Sequence, residues 1–370
     1  MKRELERIEV PGEHGARERA WRLVESAFAE REPQPPRRSW KPIAAVALAV
    51  AVVAGLLSPP GRAMLDGIRE VVGVEKAQPA LFSLPAPGRL LVTSDSGAWV
   101  VEQDGSKRLL GSYRKASWSP FGRFVVASRA NELVALEPDG SVRWTLARPD
   151  VQFPRWGGTK VDTRIAYLSG NELRVVAGDG RGDHRAARRA VGVAPAWRPG
   201  AAHVLTYARE DGFVRVVDSD RGTVLGRSEA RNVVELDWVA DRRLLVTNTR
   251  VSLFDDSGQD VLRTDGRFTG GALSPRAQQL ALVSTNAGTS VLELVSRTGQ
   301  TRQLFSGRGR LEGPVWSPDG RWLLVGWEDA DQWVFVRAAA GQPRIVAVSN
   351  VSAQFRSRTF PRVEGWCCAA

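Results

Sequence analysis

The chain has 370 residues, 43% of them apolar, which is enough to bury a large hydrophobic core. Residues 1–41 hold ten basic and eight acidic side chains, so about +9 of the formal net charge of +11 belongs to the rest of the chain. There the charges alternate in sign and form no basic run, so the net charge does not indicate a nucleic-acid-binding protein. The two cysteines are adjacent and the three histidines (His14, His184, His203) are scattered, so neither a metal site nor a cofactor is expected.

The N-terminal segment 1–39 is predicted to be a cytoplasmic tail that contains an amphipathic helix. Small and apolar residues recur at helical spacing over residues 14–32, and a proline-rich stretch then ends the pattern. A helix of this length is marginal in water when it is isolated. Two alternatives follow: the helix packs on a cytoplasmic partner, a second copy or the membrane surface, or it is a weakly ordered tail.

A transmembrane helix is predicted over residues 40–58. The segment Pro42–Gly61 has no charged residue, and a helix over 40–58 would be about 28 Å long, close to the hydrocarbon core of a bilayer. A buried core helix would show polar positions at a helical period, and a signal peptide would have a shorter leader and a cleavage site. Because Arg37, Arg38 and Lys41 precede the helix, the positive-inside rule predicts a single-pass cell-membrane protein with its N-terminus in the cytoplasm and the rest outside.

The next segment, 59–78, is predicted to be a juxtamembrane helix and linker. Apolar residues recur at helical spacing over Pro60–Val72, and Gly73 follows as a helix terminator. We expect this short helix to pack on the base of the following domain.

Residues 79–350 contain a repeat of about 40 residues, which is typical of a β-propeller. The clearest copy is PVWSPDGRWLLVGW at 314–327, and each copy has a strand, a P-D-G-R-type turn and three more strands. The residues that open the seven copies are Leu84, Trp118, Trp156, Trp197, Trp238, Leu273 and Trp316. We predict an all-β fold with about seven four-stranded blades, or six if the Leu84 unit is incomplete, in which these openers fill the space between neighbouring blades.

The W-S-P-D-G-R units resemble the repeats of TolB-like β-propellers, and more broadly WD-repeat-like blades and the propellers of prolyl-oligopeptidase-type peptidases. The resemblance covers about residues 79–349 and is most specific at Trp316–Arg321. It implies the fold and an extracytoplasmic setting, but no site residue, because such propellers bind many different partners. The N-terminal anchor and the C-terminal Gly-Trp-Cys-Cys lie outside the family's pattern.

The sequence contains no recognisable catalytic set. A hydrolase domain has no room beside the propeller, and no G-x-S-x-G elbow occurs. The acidic groups at Asp218 and Asp255 fall at turns and lack the spacing of a calcium loop. A glycosidase-like pair of carboxylates in the pore stays open, because different blades would supply it.

We therefore predict a non-enzymatic, extracytoplasmic binding or sensing module whose partner is a protein or an envelope component. One alternative is an enzyme that acts on cell-envelope carbohydrate or peptide. Another is a transmembrane signalling protein whose helix over 14–32 docks a cytoplasmic regulator. The segment 351–370 is predicted to be a C-terminal tail. Because thiols outside the cytoplasm tend to be oxidised, we favour oxidised Cys367 and Cys368, joined to each other or bridged to another chain, over free thiols.

Overall fold

The structure, a computed structural model, describes residues 83–339 and 344–368. The cytoplasmic tail, the transmembrane helix and the juxtamembrane helix predicted over residues 1–78 lie outside these residues. In the part that is described, no helix is both long enough and apolar enough to cross a membrane.

The described chain forms seven antiparallel sheets of four strands each, which are the blades of a propeller. The strands are β1 (Arg89–Ser94), β2 (Gly97–Val101), β3 (Lys107–Gly111), β4 (Lys115–Trp118), β5 (Val125–Arg129), β6 (Glu132–Leu136), β7 (Val142–Ala147), β8 (Val151–Gly158), β9 (Thr163–Ser169), β10 (Glu172–Ala177), β11 (His184–Arg188), β12 (Ala196–Trp197), β13 (Val204–Arg209), β14 (Phe213–Asp218), β15 (Thr223–Glu229), β16 (Val233–Val239), β17 (Arg242–Thr247), β18 (Arg250–Phe254), β19 (Asp260–Asp265), β20 (Phe268–Leu273), β21 (Gln279–Asn286), β22 (Thr289–Ser296), β23 (Thr301–Arg308), β24 (Val315–Trp316), β25 (Trp322–Trp327), β26 (Gln332–Arg337), β27 (Ile345–Ser349) and β28 (Arg362–Cys367). Blade 1 has the strand order β28-β1-β2-β3, and blades 2 to 7 each take four consecutive strands from β4 to β27. A one-turn 3-10 helix (Glu328–Ala330) precedes β26, and a short helix α1 (Val351–Gln354) follows β27.

The W-S-P-D-G-R motif builds the turn between the first two strands of a blade. In blade 7, Ser317 Oγ accepts the N–H of Trp322 at 2.9 Å, and Asp319 Oδ1 accepts the N–H of Arg321 at 3.0 Å. Gly320 has a φ of 68°, a left-handed conformation that glycine adopts without a steric penalty. The serine, aspartate and glycine of the motif therefore hold the turn, which explains why they recur together.

The hydrophobic core lies between the blades. Every residue of β25 is buried, whereas the outer strand β15 has only exposed and half-buried positions. One apolar cluster joins Ala281 and Val283 of blade 6 to Leu323 and Val325 of blade 7. Because each blade buries its faces against two neighbours, blade packing is the main apolar contribution to stability.

The ring is closed by the C-terminal strand β28, which pairs antiparallel with β1 in blade 1. In this register Leu90 lies opposite Trp366, and Arg89 lies opposite Cys367. The residues Arg362–Cys367, which the sequence analysis assigned to the tail 351–370, are therefore part of the propeller, and its predicted boundary at residue 350 lies too early. The closure also pairs the free edge that β1 would otherwise expose.

Candidate functional site: the central channel

The innermost strands of the blades surround a central channel. These strands are β28, β4, β8, β12, β16, β20 and β24, and each contacts the innermost strands of its two neighbouring blades. Side chains that are remote in sequence therefore meet around one axis.

Four carboxylates and three basic side chains come from these strands or from the residues just before them. The acids are Glu235, Asp237, Glu312 and Glu364, and the bases are Lys115, Arg155 and Arg362. Lys115 Nζ lies 3.7 Å from Glu364 Oε1, and Arg362 Nε lies 3.6 Å from Glu312 Oε1. Glu364, whose side chain is 5% exposed, also accepts a hydrogen bond from Thr93 Oγ1 at 2.8 Å.

Glu235 is a half-buried member of this set that has no partner among the described residues. It forms no hydrogen bond and no ion pair with the residues that the structure describes, and it lies beside the backbone of Gly313, where a Cβ atom would be 3.7 Å from Glu235 Oε2. Burial raises the pKa of Glu235 to about 7, since the nearby Arg155 and Arg362 only partly offset the loss of water. Near neutral pH the Glu235 carboxyl group therefore exists in both protonation states.

Burial also raises the pKa values of Asp237 and Glu312. The backbone N–H groups of Trp238 and Leu273 donate to Asp237 at 2.8 and 3.3 Å and partly stabilise its charged form. For Glu312 the Arg362 guanidinium has the corresponding effect. The channel thus presents acids whose protonation can respond to a bound cation or hydrogen-bond donor.

The histidines and acidic groups that the sequence singled out lie at turns or at seams between blades. His184 Nε2 is 3.1 Å from the Ser219 carbonyl oxygen, and His203 Nδ1 is 3.6 Å from Asp220 Oδ2. Asp218 and Asp255 accept backbone N–H groups within their own turns. Within residues 83–339 and 344–368, no group of three or more potential metal ligands has an arrangement suited to a metal ion.

The predicted blade openers are all buried, with at most 8% exposure. Two of them donate an indole N–H to the preceding blade: Trp197 Nε1 to the Arg155 carbonyl oxygen and Trp316 Nε1 to that of Ala272, both at 3.0 Å. The other contacts with the preceding blade are Trp118 under Arg89, Trp156 against Phe124, Trp238 under Arg198, and Leu273 among Leu244 and Val246. These tryptophans therefore lie buried at the interfaces between neighbouring blades.

Leu84 differs from the other predicted openers. It is buried, but its N–H donates to the Gln103 carbonyl oxygen, and it lies outside the inner strand of its blade. Trp366 of β28 occupies that inner strand and packs edge-on against Phe335 of blade 7. Sequence analysis missed Trp366 because no P-D-G-R turn follows it.

The channel acids and bases were also missed, although a signal for some of them exists. Arg155 and Asp237 directly precede an opening tryptophan, and Lys115 and Glu235 lie three residues before one. Side chains alternate along a strand, so these odd offsets turn them away from the face that carries the tryptophan. This pattern finds four of the seven channel residues; Glu312, Arg362 and Glu364 lie at even offsets from Trp316 or Trp366 and carry no such signal.

Cys367 and Cys368 are joined by a disulfide with an S–S distance of 1.97 Å. Cys368 reaches blade 2, where a Cβ atom on Gly122 would be 2.7 Å from the Cys368 sulfur. Arg89 Nη2 also donates to the Gly122 carbonyl oxygen at 2.7 Å. The disulfide therefore lies at the seam where blade 1 is closed against blade 2.

Comparisons with known proteins agree with the fold. No protein family and no curated protein matches the chain. Among solved structures 1360 chains match, and one of them, from the crystal structure of a mitotic checkpoint complex, is 18% identical with a TM-score of 0.51. That match covers 68% of this chain and 89% of the other. At this identity the likeness shows the fold alone, and the protein is a seven-bladed β-propeller.

Proposed function

We propose that the chain is a membrane-anchored, TolB-like binding or sensing module whose propeller lies outside the cytoplasm. The observation that carries the binding role is the central channel, where charged side chains from several blades converge around Glu235, which has no partner among the described residues. A partner that inserts a cation or a hydrogen-bond donor would satisfy this carboxyl group, and a protein or an envelope component can present both.

The location is supported by the sequence outside the described residues. The charge-free segment Pro42–Gly61 and the basic cluster before it favour one membrane crossing with the N-terminus inside. The disulfide between Cys367 and Cys368 agrees with an oxidising compartment. The resemblance of the repeats to TolB-like propellers adds to this support.

Cross-linking in intact cells that produce the full-length chain tests the binding role. We expect a discrete cross-linked product with the wild type that falls several-fold in the double variant Glu235→Gln/Glu312→Gln. Glu132→Gln, which removes an exposed acid that pairs with Arg129 on blade 2, is the matched control and should leave the product unchanged. An unchanged product in the double variant, or no discrete product at all, would contradict the channel as a binding site.

A second candidate function, an enzyme acting on envelope carbohydrate or peptide, is favoured by one specific observation. Glycoside hydrolysis needs a carboxylic acid with a raised pKa and a second carboxylate, and the channel holds Glu235 with such a pKa near Asp237 and Glu364. The full-length chain should be assayed with cell-wall glycans and peptides. Turnover that disappears in Glu235→Gln and persists in Glu132→Gln would replace the binding role with catalysis.

The signalling alternative depends on the helix predicted over residues 14–32, which lies outside the described residues. It adds a cytoplasmic partner to the same propeller. A pull-down with the segment 1–41 as bait, compared with a proline-substituted version of the helix, tests it.

A further inference from the structure

A polar cleft opens between the outer strands of blades 4 and 5. It has a volume of about 880 Å³ and is bounded by β15 on one side and by β17, β18 and β19 on the other. Small-molecule sites in proteins have volumes of this order. The charged residues that line the cleft are Arg227, Glu229, Arg231, Arg250, Asp260 and Arg263, so four arginines face two acids.

Two of these arginines are not neutralised within the protein. Arg263 pairs with Asp260, and Arg250 Nε lies 2.7 Å from Asp265 Oδ1. Arg227 and Arg231, by contrast, have no carboxylate within 4.0 Å among the residues described. The guanidinium of Arg227 stacks over the Phe213 ring at 5.5 Å and stays available to a ligand.

A third arginine, Arg243 of β17, lies buried beside the cleft, where Asp260 favours its charged form but forms no ion pair with it within 4.0 Å in the described chain. The residue is only 5% exposed, and its guanidinium packs over the Phe254 ring at 4.2 Å and lies 3.5 Å from Ser228 Oγ through Nη2. Phe254 and Ser228 both line the cleft. The remaining nitrogen, Nη1, has no hydrogen-bond partner in the described chain.

A buried cation without a hydrogen-bonded counter-charge is costly, and an anionic ligand that paired with it would offset that cost. The planar guanidinium fork matches the two oxygens of a carboxylate or phosphate. We propose that the cleft between blades 4 and 5 binds a small polar anion, whose carboxylate or phosphate group is held by Arg243 and by Arg227 and Arg231 at the mouth. The cleft lies apart from the channel: it faces blade 4, whereas the channel residue Asp237 of blade 5 accepts the N–H of Leu273 in blade 6. The anion-site proposal is therefore independent of the function proposed above.

Calorimetric titration of the full-length chain in neutral detergent tests the site, with inorganic phosphate and citrate as separate probes at constant ionic strength. We expect saturable binding of at least one probe, weakened at least about tenfold by Arg243→Met, because hydrogen bonds to charged groups are worth that much. Saturation by citrate alone would identify a carboxylate site, and saturation by phosphate alone a phosphate site. Arg276→Met, which removes an exposed arginine from the turn after β20, is the matched control and should bind as the wild type does.

A second variant covers the case in which Arg243→Met fails to fold. The double variant Arg227→Met/Arg231→Met alters only the mouth of the cleft and should weaken binding several-fold. The proposal is overturned if neither anion binds saturably. It is equally overturned if the folded Arg243 and mouth variants bind like the wild type, or if Arg276→Met loses as much affinity as they do.

Discussion

Glu235 is the channel residue whose charged form is disfavoured by the loss of water around it. Its carboxyl group would titrate near 4.5 in the unfolded chain and titrates at about 7 in the folded protein. Between these values the folded state binds more protons, so the free energy of unfolding falls as the pH rises through this window and is constant above it. The channel acid therefore destabilises the protein at neutral and alkaline pH, which is the kind of cost that binding sites carry.

Glu235→Gln should remove this pH dependence. At about pH 8 we expect the variant to be more stable than the wild type by about 3 kcal/mol, and the difference to vanish toward about pH 4. Urea unfolding followed by tryptophan fluorescence across this range measures it. The control Glu132→Gln should keep the pH profile of the wild type; an advantage of Glu235→Gln that is independent of pH would show that the charge of Glu235 is not its cause.

Gly157 shows how closely the opening tryptophans are packed. A Cβ atom at this position would lie 2.1 Å from Trp197 Cγ, at the seam between blades 3 and 4. We expect Gly157→Ala to displace the Trp197 ring, lose its hydrogen bond to the Arg155 carbonyl oxygen, and lower the free energy of unfolding by about 2 kcal/mol.

The matched control is Gly226→Ala in β15, where the nearest atom to a new Cβ is Val216 Cβ at 4.0 Å. That change should stay within about 0.5 kcal/mol of the wild type in the same denaturation experiment. Equal effects of the two alanines would mean that the Trp197 seam tolerates repacking.

At the scale of elements, the closing strand β28 is the one on which the ring depends. It contributes Trp366 to the core of blades 1 and 7 and pairs with β1 over Arg89–Thr93. A chain that ends after Pro361 should therefore lose blade 1 pairing and unfold at a markedly lower temperature, because loss of a buried tryptophan alone costs about 3–5 kcal/mol. A chain that ends after Cys368 retains β28 and should melt as the wild type does in the same circular-dichroism experiment; similar melting of both would contradict this role for β28.

The elements were predictable from the sequence to the extent that they repeat. The unit around Trp316 carries its own turn chemistry in Ser317, Asp319 and Gly320, so strands and blade number follow from local pattern. The pairing of β1 with β28 does not follow from the local pattern, because a contact between the two ends of the chain produces no recognisable motif in the sequence around either strand. The convergence of Glu235 and Glu312 is hidden for a similar reason, since only the arrangement of blades around the axis brings them together.

At the scale of the whole molecule, topology is the prediction that decides the function class. The charge asymmetry around Pro42–Gly61 predicts that residues 1–39 lie inside the cell and the propeller outside. Protease added to intact cells should remove a C-terminal epitope and spare an N-terminal one, and lysed cells should lose both. Protection of the C-terminal epitope in intact cells would contradict the orientation.

The closure of blade 1 also determines when the protein can finish folding during its synthesis. Thr93 and Glu364, which are hydrogen-bonded across β1 and β28, are 271 residues apart in the chain. A ribosome adds about 5–20 residues per second, so β1 waits on the order of tens of seconds for its partner strand. Contacts between positions so distant in the sequence raise the contact order and slow the final folding step. Nascent chains that stall before β28 would expose an open strand edge, and they are the species on which chaperones and proteases would act.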